Sequence, residues 1–307
     1  MGSQSTYNGV IVPAVTPLTA SFDIDEAALH RMFDMFHACG VHPFILGTTG
    51  EVASLSIPLR RKYIRMAGIC RHPGMVAYAG ISSNVLEDSI DLACYAADQG
   101  MNAVVATLPS YFQLTRSQML KYFVAVADAV PLPLVIYNMP ATTHMSIPLE
   151  LLDRLSLHPN IVGVKDSERS DERMEQSLRL WKDRDDFSYL TGWAARSAAA
   201  LRGGAAGIIP STGNLLPDIY AVMYASIFSG DHLQAGKMQD LSDRFGRIYQ
   251  EGMTLGESLW ALKRLMHLKD ICLPIVMPPL YSMDEEISER LRMAYMEEVH
   301  HLEAYRN

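Results

Sequence analysis

The chain has 307 residues, 49% of them hydrophobic and 20% charged, a balance that fits a globular protein with a large buried core and excludes a disordered or fibrous one. A formal net charge of −8 argues against a sequence-independent grip on nucleic acid, which depends on Lys and Arg neutralising phosphates. No apolar run approaches the roughly 18 residues that a membrane span needs, so neither nucleic acid nor membrane is expected as a partner.

The start, MGSQSTYNGV, lacks the basic end and long apolar stretch of a signal peptide. Its first few residues read as an expression remnant, with disorder expected up to about Tyr7. From Val10 onward, short runs rich in Val, Ile and Ala recur, each followed by a longer segment of helical period, which is how a parallel sheet with crossover helices reads. Eight strands are predicted, at 10–14, 43–47, 76–80, 103–107, 133–137, 161–165, 187–191 and 206–210. Between the first two, Asp23 or Asp25 can cap a helix whose Leu29, Met32, Phe33 and Phe36 share a face, and Gly40 sits where a left-handed cap belongs. Gly100 closes a later unit in the same way. Past about residue 230 the strand signal stops, and 231–250, 256–270 and 284–304 read as three amphipathic helices, with Leu273-Pro274 and Pro278-Pro279 breaking the chain before the last. The expected architecture is therefore an α/β (β/α)8 TIM barrel over 1–229 with a C-terminal helical extension over 230–307. Cys39, Cys70, Cys94 and Cys272 are widely spaced and form neither a CxxC nor a disulfide framework, so a reducing cytoplasm is the expected compartment.

In such a barrel the active site lies at the C-terminal ends of the strands. Strand two delivers Gly47-Thr48-Thr49-Gly50-Glu51 there, strand five Tyr137-Asn138-Met139-Pro140, and strand six Lys165-Asp166-Ser167. Six of the seven lysines (Lys62, Lys121, Lys182, Lys237, Lys263, Lys269) fall in helical or charged segments where a solvated ammonium is expected; Lys165 alone closes an apolar strand. A lysine near a barrel core is biased toward the neutral amine that attacks carbonyls. The competing reading is a lysine that opens a surface loop or pairs with Asp166. Tyr137, on the neighbouring strand, could exchange protons with a substrate hydroxyl or simply pack with its own hydroxyl satisfied. The Gly47–Gly50 loop offers consecutive N–H groups suited to a carboxylate, although a plain strand-to-helix turn would look the same. Ser211-Thr212-Gly213-Asn214 reads equally well as an anion site or a cap. The histidines include no HxH or HExxH, and His300-His301 reads as a solvated helix face.

The strings GTTGE (47–51), YNMP (137–140) and GVKDS (163–167), in that order at those strand ends, resemble the dihydrodipicolinate synthase/N-acetylneuraminate lyase family of pyruvate-dependent class I aldolases. PSYF at 109–112, GGAAGIIPSTGN at 203–214 and MPPL at 277–280 are similar to further family landmarks. The resemblance implies that Lys165 forms a Schiff base and that Tyr137 is the acid/base. It implies that Thr48 and Thr49 bind the 2-oxo acid carboxylate, with a hydroxyl relaying protons between Tyr137 and Tyr111. Ile209 would place its carbonyl near the imine, and Gly192 would approach the distal part of the substrate. No metal or organic cofactor is implied. Because several family members take the counterpart of Tyr111 from a neighbouring subunit, a homo-oligomer (dimer or tetramer) is implied.

Departures from the family pattern bear on the substrate. Thr142 stands where dihydrodipicolinate synthases usually carry a carboxylate-binding arginine. Asp166-Ser167 and Trp193-Ala194-Ala195-Arg196 differ from what neuraminate lyases place there. Within the family, elimination leaves aldolases or dehydratases of 2-oxo-3-deoxy sugar acids and of 4-hydroxy-2-oxoglutarate, and the leading reading is cleavage of such a 2-oxo-3-deoxy sugar acid or 4-hydroxy-2-oxo acid into pyruvate and an aldehyde. The alternatives are dehydration through the same imine, the dihydrodipicolinate synthase reaction, and a non-catalytic 2-oxo acid binding protein. Arg196 reads either as a contact for a distal carboxylate or as a helix-surface arginine.

Overall fold

The computed structural model describes residues 6–306, with side chains described as far as Leu302. Residues 1–5, part of the stretch for which disorder is expected, lie outside the described residues. Tyr7 is ordered, packing edge-on against Tyr78 with ring centroids 6.3 Å apart, so the expected disorder does not extend that far.

Eight parallel strands close a barrel in sequence order. They are β1 (Gly9–Pro13), β2 (His42–Ile45), β3 (Tyr78–Gly80), β4 (Ala103–Thr107), β5 (Leu134–Asn138), β6 (Ile161–Asp166), β7 (Ser188–Thr191) and β8 (Gly207–Ile208). The sequence placed all eight, and the largest differences are the shorter β3 and β8. Alternation along each strand sorts its side chains. In β5, Leu134 and Ile136 face the helices, while Val135 and Tyr137 join Ile11, Phe44, Tyr78, Val105 and Leu190 in the barrel interior. The pairing of Tyr137 with Lys165 and of Asn138 with Asp166 decides the orientation of both catalytic candidates. Val164 lies in the outer core, so Lys165 points inward and Asp166 outward.

Asp25, rather than Asp23, caps the helix Glu26–Ala38, accepting from the Ala28 N–H at 3.0 Å; Asp23 binds Lys62 instead, at 2.6 Å. Leu29, Met32, Phe33 and Phe36 are fully buried on that helix, each contributing about 1.5–3 kcal/mol of apolar burial. Gly40 (φ 66°) and Gly100 (φ 78°) adopt the left-handed conformation expected of them.

After Gly230 come the helices His232–Gln250, Leu255–His267 and Glu285–Arg306. The second starts with a reciprocal capping box between Thr254 and Glu257. Lys263, expected to be solvated, is instead fully buried. Its ammonium pairs with the equally buried Glu51 and donates to the Ile275 carbonyl at 2.6 Å, while the second Glu51 oxygen accepts the Met277 N–H at 2.7 Å. Helical periodicity cannot distinguish a lysine on the solvent face from one aimed at a partner 212 positions away in the chain. This pair ties the helical extension to the loop that follows β2.

Candidate active site

The C-terminal mouth of the barrel opens into a cavity of about 530 Å³ lined by Thr48, Thr49, Tyr137, Lys165, Gly192 and Ile209 among others. Six of the seven residues singled out from the sequence as catalytic or substrate-binding therefore converge. The seventh, Tyr111, does not. It is 79% exposed, stacks edge-on with Phe112 and lines neither this cavity nor the one beside it; its backbone N–H is held by Asn84 at 3.2 Å.

Lys165 is only 4% exposed. Its Nζ lies 3.9 Å from the centroid of the Tyr137 ring and 5.0 Å from that of Phe44, and it forms no ion pair among the described residues. The carboxylate next in sequence is committed elsewhere: Asp166 accepts Arg173 Nε at 2.7 Å and Asn138 Nδ2 at 3.0 Å. That geometry removes the alternative in which Lys165 merely pairs with Asp166. Burial dominates the titration of Lys165 and holds its amine below the ordinary lysine value, although Tyr137 pulls it partly back up. Burial also acts to raise the Tyr137 phenol. The neighbouring Lys165 ammonium, together with hydrogen bonds involving Thr48, Ser167 and Lys165, outweighs it and leaves the phenol more acidic than usual. The Thr48 hydroxyl stands 3.4 Å from the Tyr137 hydroxyl.

The loop after β2 folds on itself, the N–H groups of Gly50 and Glu51 donating to the carbonyls of Gly47 and Thr48 at 3.0 Å each. Among the described residues, the N–H groups of Thr48 and Thr49 have no protein acceptor, so they remain available to an anion entering the cavity. Gly192 has no room for a side chain, because a Cβ there would stand 2.1 Å from Ser167 Oγ and 3.1 Å from Lys165 Cε. Ser211-Thr212-Gly213-Asn214 resolves as a structural tie. Both hydroxyls meet Tyr249 OH, at 2.7 and 3.0 Å, and Asn214 joins Pro13 to Val15.

Several lining residues were not singled out from the sequence. Ser167 lines the cavity and reaches Tyr137, while Phe44, which lines the neighbouring cavity, supplies the second ring beside Lys165. Tyr249, Gln250, Leu255, Ser258, Leu259 and Leu262 come from the helical extension, which forms one wall of the cavity. The string KDS carried a signal for Ser167, but nothing local marks the others. Thr48, Tyr137, Leu255 and Leu259 also line a second cavity of about 440 Å³, which takes in Arg60 and Thr142. Thr142 turns its hydroxyl back to the Met139 carbonyl at 3.3 Å. Arg196 forms a 2.7 Å ion pair with Asp171 and lies over Trp193, outside the lysine cavity. Among the described residues, no helix is long and apolar enough to cross a membrane, and no group of three or more His, Cys, Asp or Glu is placed to hold a metal ion.

Fold and cavity together define a (β/α)8-barrel enzyme built around a buried lysine. The chain belongs to the dihydrodipicolinate synthetase family, whose model matches residues 6–297, and like its members it is a carbon–carbon lyase of the class I aldolase type. It is 33% identical over 226 residues to a 4-hydroxy-tetrahydrodipicolinate synthase from Acidiphilium cryptum, covering 73% of this chain and 77% of that protein. A DapA-like lyase from Thermococcus onnurineus is 30% identical over 292 residues, covering 92% and 97%. Among solved structures, dihydrodipicolinate synthase from Bacteroides thetaiotaomicron superposes with a TM-score of 0.87 at 30% identity, covering 94% and 98%. The sialic acid aldolase of Ruminococcus gnavus, at 21% identity and a TM-score of 0.88 over 96% and 98%, shares the fold.

Proposed function

We propose that the enzyme cleaves, or in reverse forms, a 2-oxo acid through an imine on Lys165, with pyruvate as product or donor. One observation carries this reading: the Lys165 amine is buried between two aromatic rings, has no carboxylate partner and faces a cavity large enough for a small substrate. Such an amine loses its proton more readily than a solvated lysine and can add to the C2 carbonyl, with water leaving as the imine forms. Tyr137, its phenol made more acidic by its neighbours, gives its proton to the water that leaves as the imine forms and then, as the phenolate, takes the proton from the C4 hydroxyl as the C3–C4 bond breaks. The bonding electrons pass into the protonated imine, giving the neutral enamine and a free aldehyde. Protonation at C3 and hydrolysis of the imine then release pyruvate and restore the amine.

The free N–H groups of Thr48 and Thr49 support their role as the carboxylate site, and the Thr48–Tyr137 hydroxyl contact supports a proton relay. The close fit at Gly192 and the position of Ile209 in the cavity wall support their places beside the substrate. The exposed Tyr111–Phe112 pair supports a homo-oligomer, dimer or tetramer, in which Tyr111 reaches the relay of a neighbouring subunit. The substrate is a 2-oxo-3-deoxy sugar acid or a 4-hydroxy-2-oxo acid. Thr142, turned back onto its own helix and absent from the lysine cavity, does not supply the cation that a dihydrodipicolinate synthase would hold there.

The test is to incubate the protein with pyruvate, reduce with borohydride and map the adduct by peptide mass spectrometry. Reduced pyruvyl on Lys165 is the expected result. Absence of any adduct, under conditions that label a known class I aldolase, would leave the chain as a non-catalytic binding protein. Product analysis separates cleavage from dehydration, because a dehydratase liberates neither pyruvate nor aldehyde.

A further inference from the structure

Besides Lys165, two charged side chains line the cavity, Glu168 and Arg169, and their surroundings differ. Glu168 is occupied: its Oε2 accepts Ser146 Oγ at 2.6 Å and Asn138 Nδ2 at 3.0 Å, and lies 3.4 Å from Arg173 Nε. Arg169 is exposed at the rim and has neither an ion pair nor a side-chain hydrogen bond among the described residues. It nevertheless lines the cavity. Tyr249, on the far wall, is held above the ordinary phenol value by burial, and the Arg169 charge is one of the influences that pull it back. The Gln250 amide lines the same wall.

Conversion of Lys165 to an imine would consume the amine at the cavity floor and leave Arg169 as the guanidinium available to substrate. Other arginines do not compete for this role. Arg196 is spent on Asp171, Arg173 on Asp166, and Arg60 lines the neighbouring cavity while donating to the carbonyls of Leu55 and Ser82. A planar guanidinium matches the paired oxygens of a carboxylate or phosphate.

We propose that Arg169 determines specificity by holding a second anionic group, a carboxylate or a phosphate, at the end of the substrate remote from the imine. This deepens the Schiff-base reading and rests on it. The enzyme would then act on 2-oxo acids that carry an acidic terminus, in preference to those ending in a neutral polyol.

The experiment uses the full chain and Arg169→Gln in the condensation direction, with pyruvate saturating and acceptor aldehydes offered in charged and neutral pairs: glyoxylate against acetaldehyde, succinic semialdehyde against butanal, and glyceraldehyde 3-phosphate against glyceraldehyde. The wild type should favour the charged member of at least one pair by roughly 10- to 100-fold in kcat/KM, the range expected for one charge-assisted hydrogen-bonded contact. The favoured pair identifies carboxylate or phosphate. Arg169→Gln should abolish the preference through KM for the anion, while neutral acceptors and borohydride labelling of Lys165 with pyruvate stay at wild-type levels. If both proteins label Lys165 but the wild type shows no preference for charge, or the variant keeps it, Arg169 is not the anchor and the Schiff-base reading stands. If the wild type does not label at all, that reading falls and this proposal falls with it.

Discussion

Lys165 and Lys263 are both buried, within reach of the same loop, and they show what decides whether a buried amine is structural or reactive. Lys263 meets Glu51 and a backbone carbonyl, so its charge is compensated. Lys165 meets two aromatic faces and a phenol. Their π-faces favour a cation weakly, too little to offset burial, and its pKa falls. The first arrangement fixes the helical extension against Gly47–Glu51, behind Thr48 and Thr49; the second leaves an amine ready to lose its proton. One lysine shapes the cavity and the other faces into it.

The contrast is broken most completely by removing the amine that faces the cavity. Lys165→Ala should fold, because it removes a charge that is costly to bury, yet it should give no borohydride adduct and only background turnover; retained activity would defeat the lysine-centred account. Tyr137→Phe keeps the ring beside Lys165 and removes only the hydroxyl. It should lower kcat by about 10²–10⁴-fold, the usual contribution of a positioned acid/base, with a smaller change in pyruvate affinity. Equal losses in kcat and affinity would count against a proton-transfer role.

Lys263→Met tests the other side of the comparison. It leaves the Glu51 carboxylate buried without its cation, at a cost of about 3–5 kcal/mol of stability measured by denaturant unfolding. Adding Glu51→Gln, which removes the orphaned charge while keeping an acceptor for the Met277 N–H, should recover much of that loss. If the double variant is no more stable than Lys263→Met, packing and not charge compensation explains the pair.

The same two lysines show how far the sequence could be read. The placement of Lys165 was legible because it is local: a single cation ending an apolar strand must face either the barrel interior or the helices, and the strand order supplies Tyr137 as its neighbour. The placement of Thr48 and Thr49 at the cavity followed from their strand end in the same way. Lys263 was misread because its segment has the period of any amphipathic helix, and its partner belongs to a distant loop. The cavity wall of Tyr249, Gln250, Leu255 and Leu259 was missed for the same reason, since ordinary helix-face residues acquire a role only when the extension docks. Arg196, which the sequence leaves between a distal substrate contact and a helix-surface arginine, lies at the surface, where Asp171, brought alongside by tertiary structure, takes its charge.

The smallest expected effect is also the most discriminating. Lys165 must be neutral to attack a carbonyl, so the rate of pyruvate labelling below saturation should rise with pH and level off below 10.5, the ordinary lysine value. The Tyr137 hydroxyl favours the ammonium form, through its hydrogen bond and through its negative charge once ionised. Tyr137→Phe removes both contributions, lowers the Lys165 pKa further and should therefore shift the labelling profile toward lower pH, even as it slows turnover. Replacing the other pair, in Glu51→Gln/Lys263→Met, removes one negative and one positive charge together and should leave the midpoint where it was. A profile that stays fixed in Tyr137→Phe, or moves upward, would mean that the phenol does not face the amine in solution. A shift in the Glu51→Gln/Lys263→Met protein would mean that the structural pair reaches the reactive lysine after all.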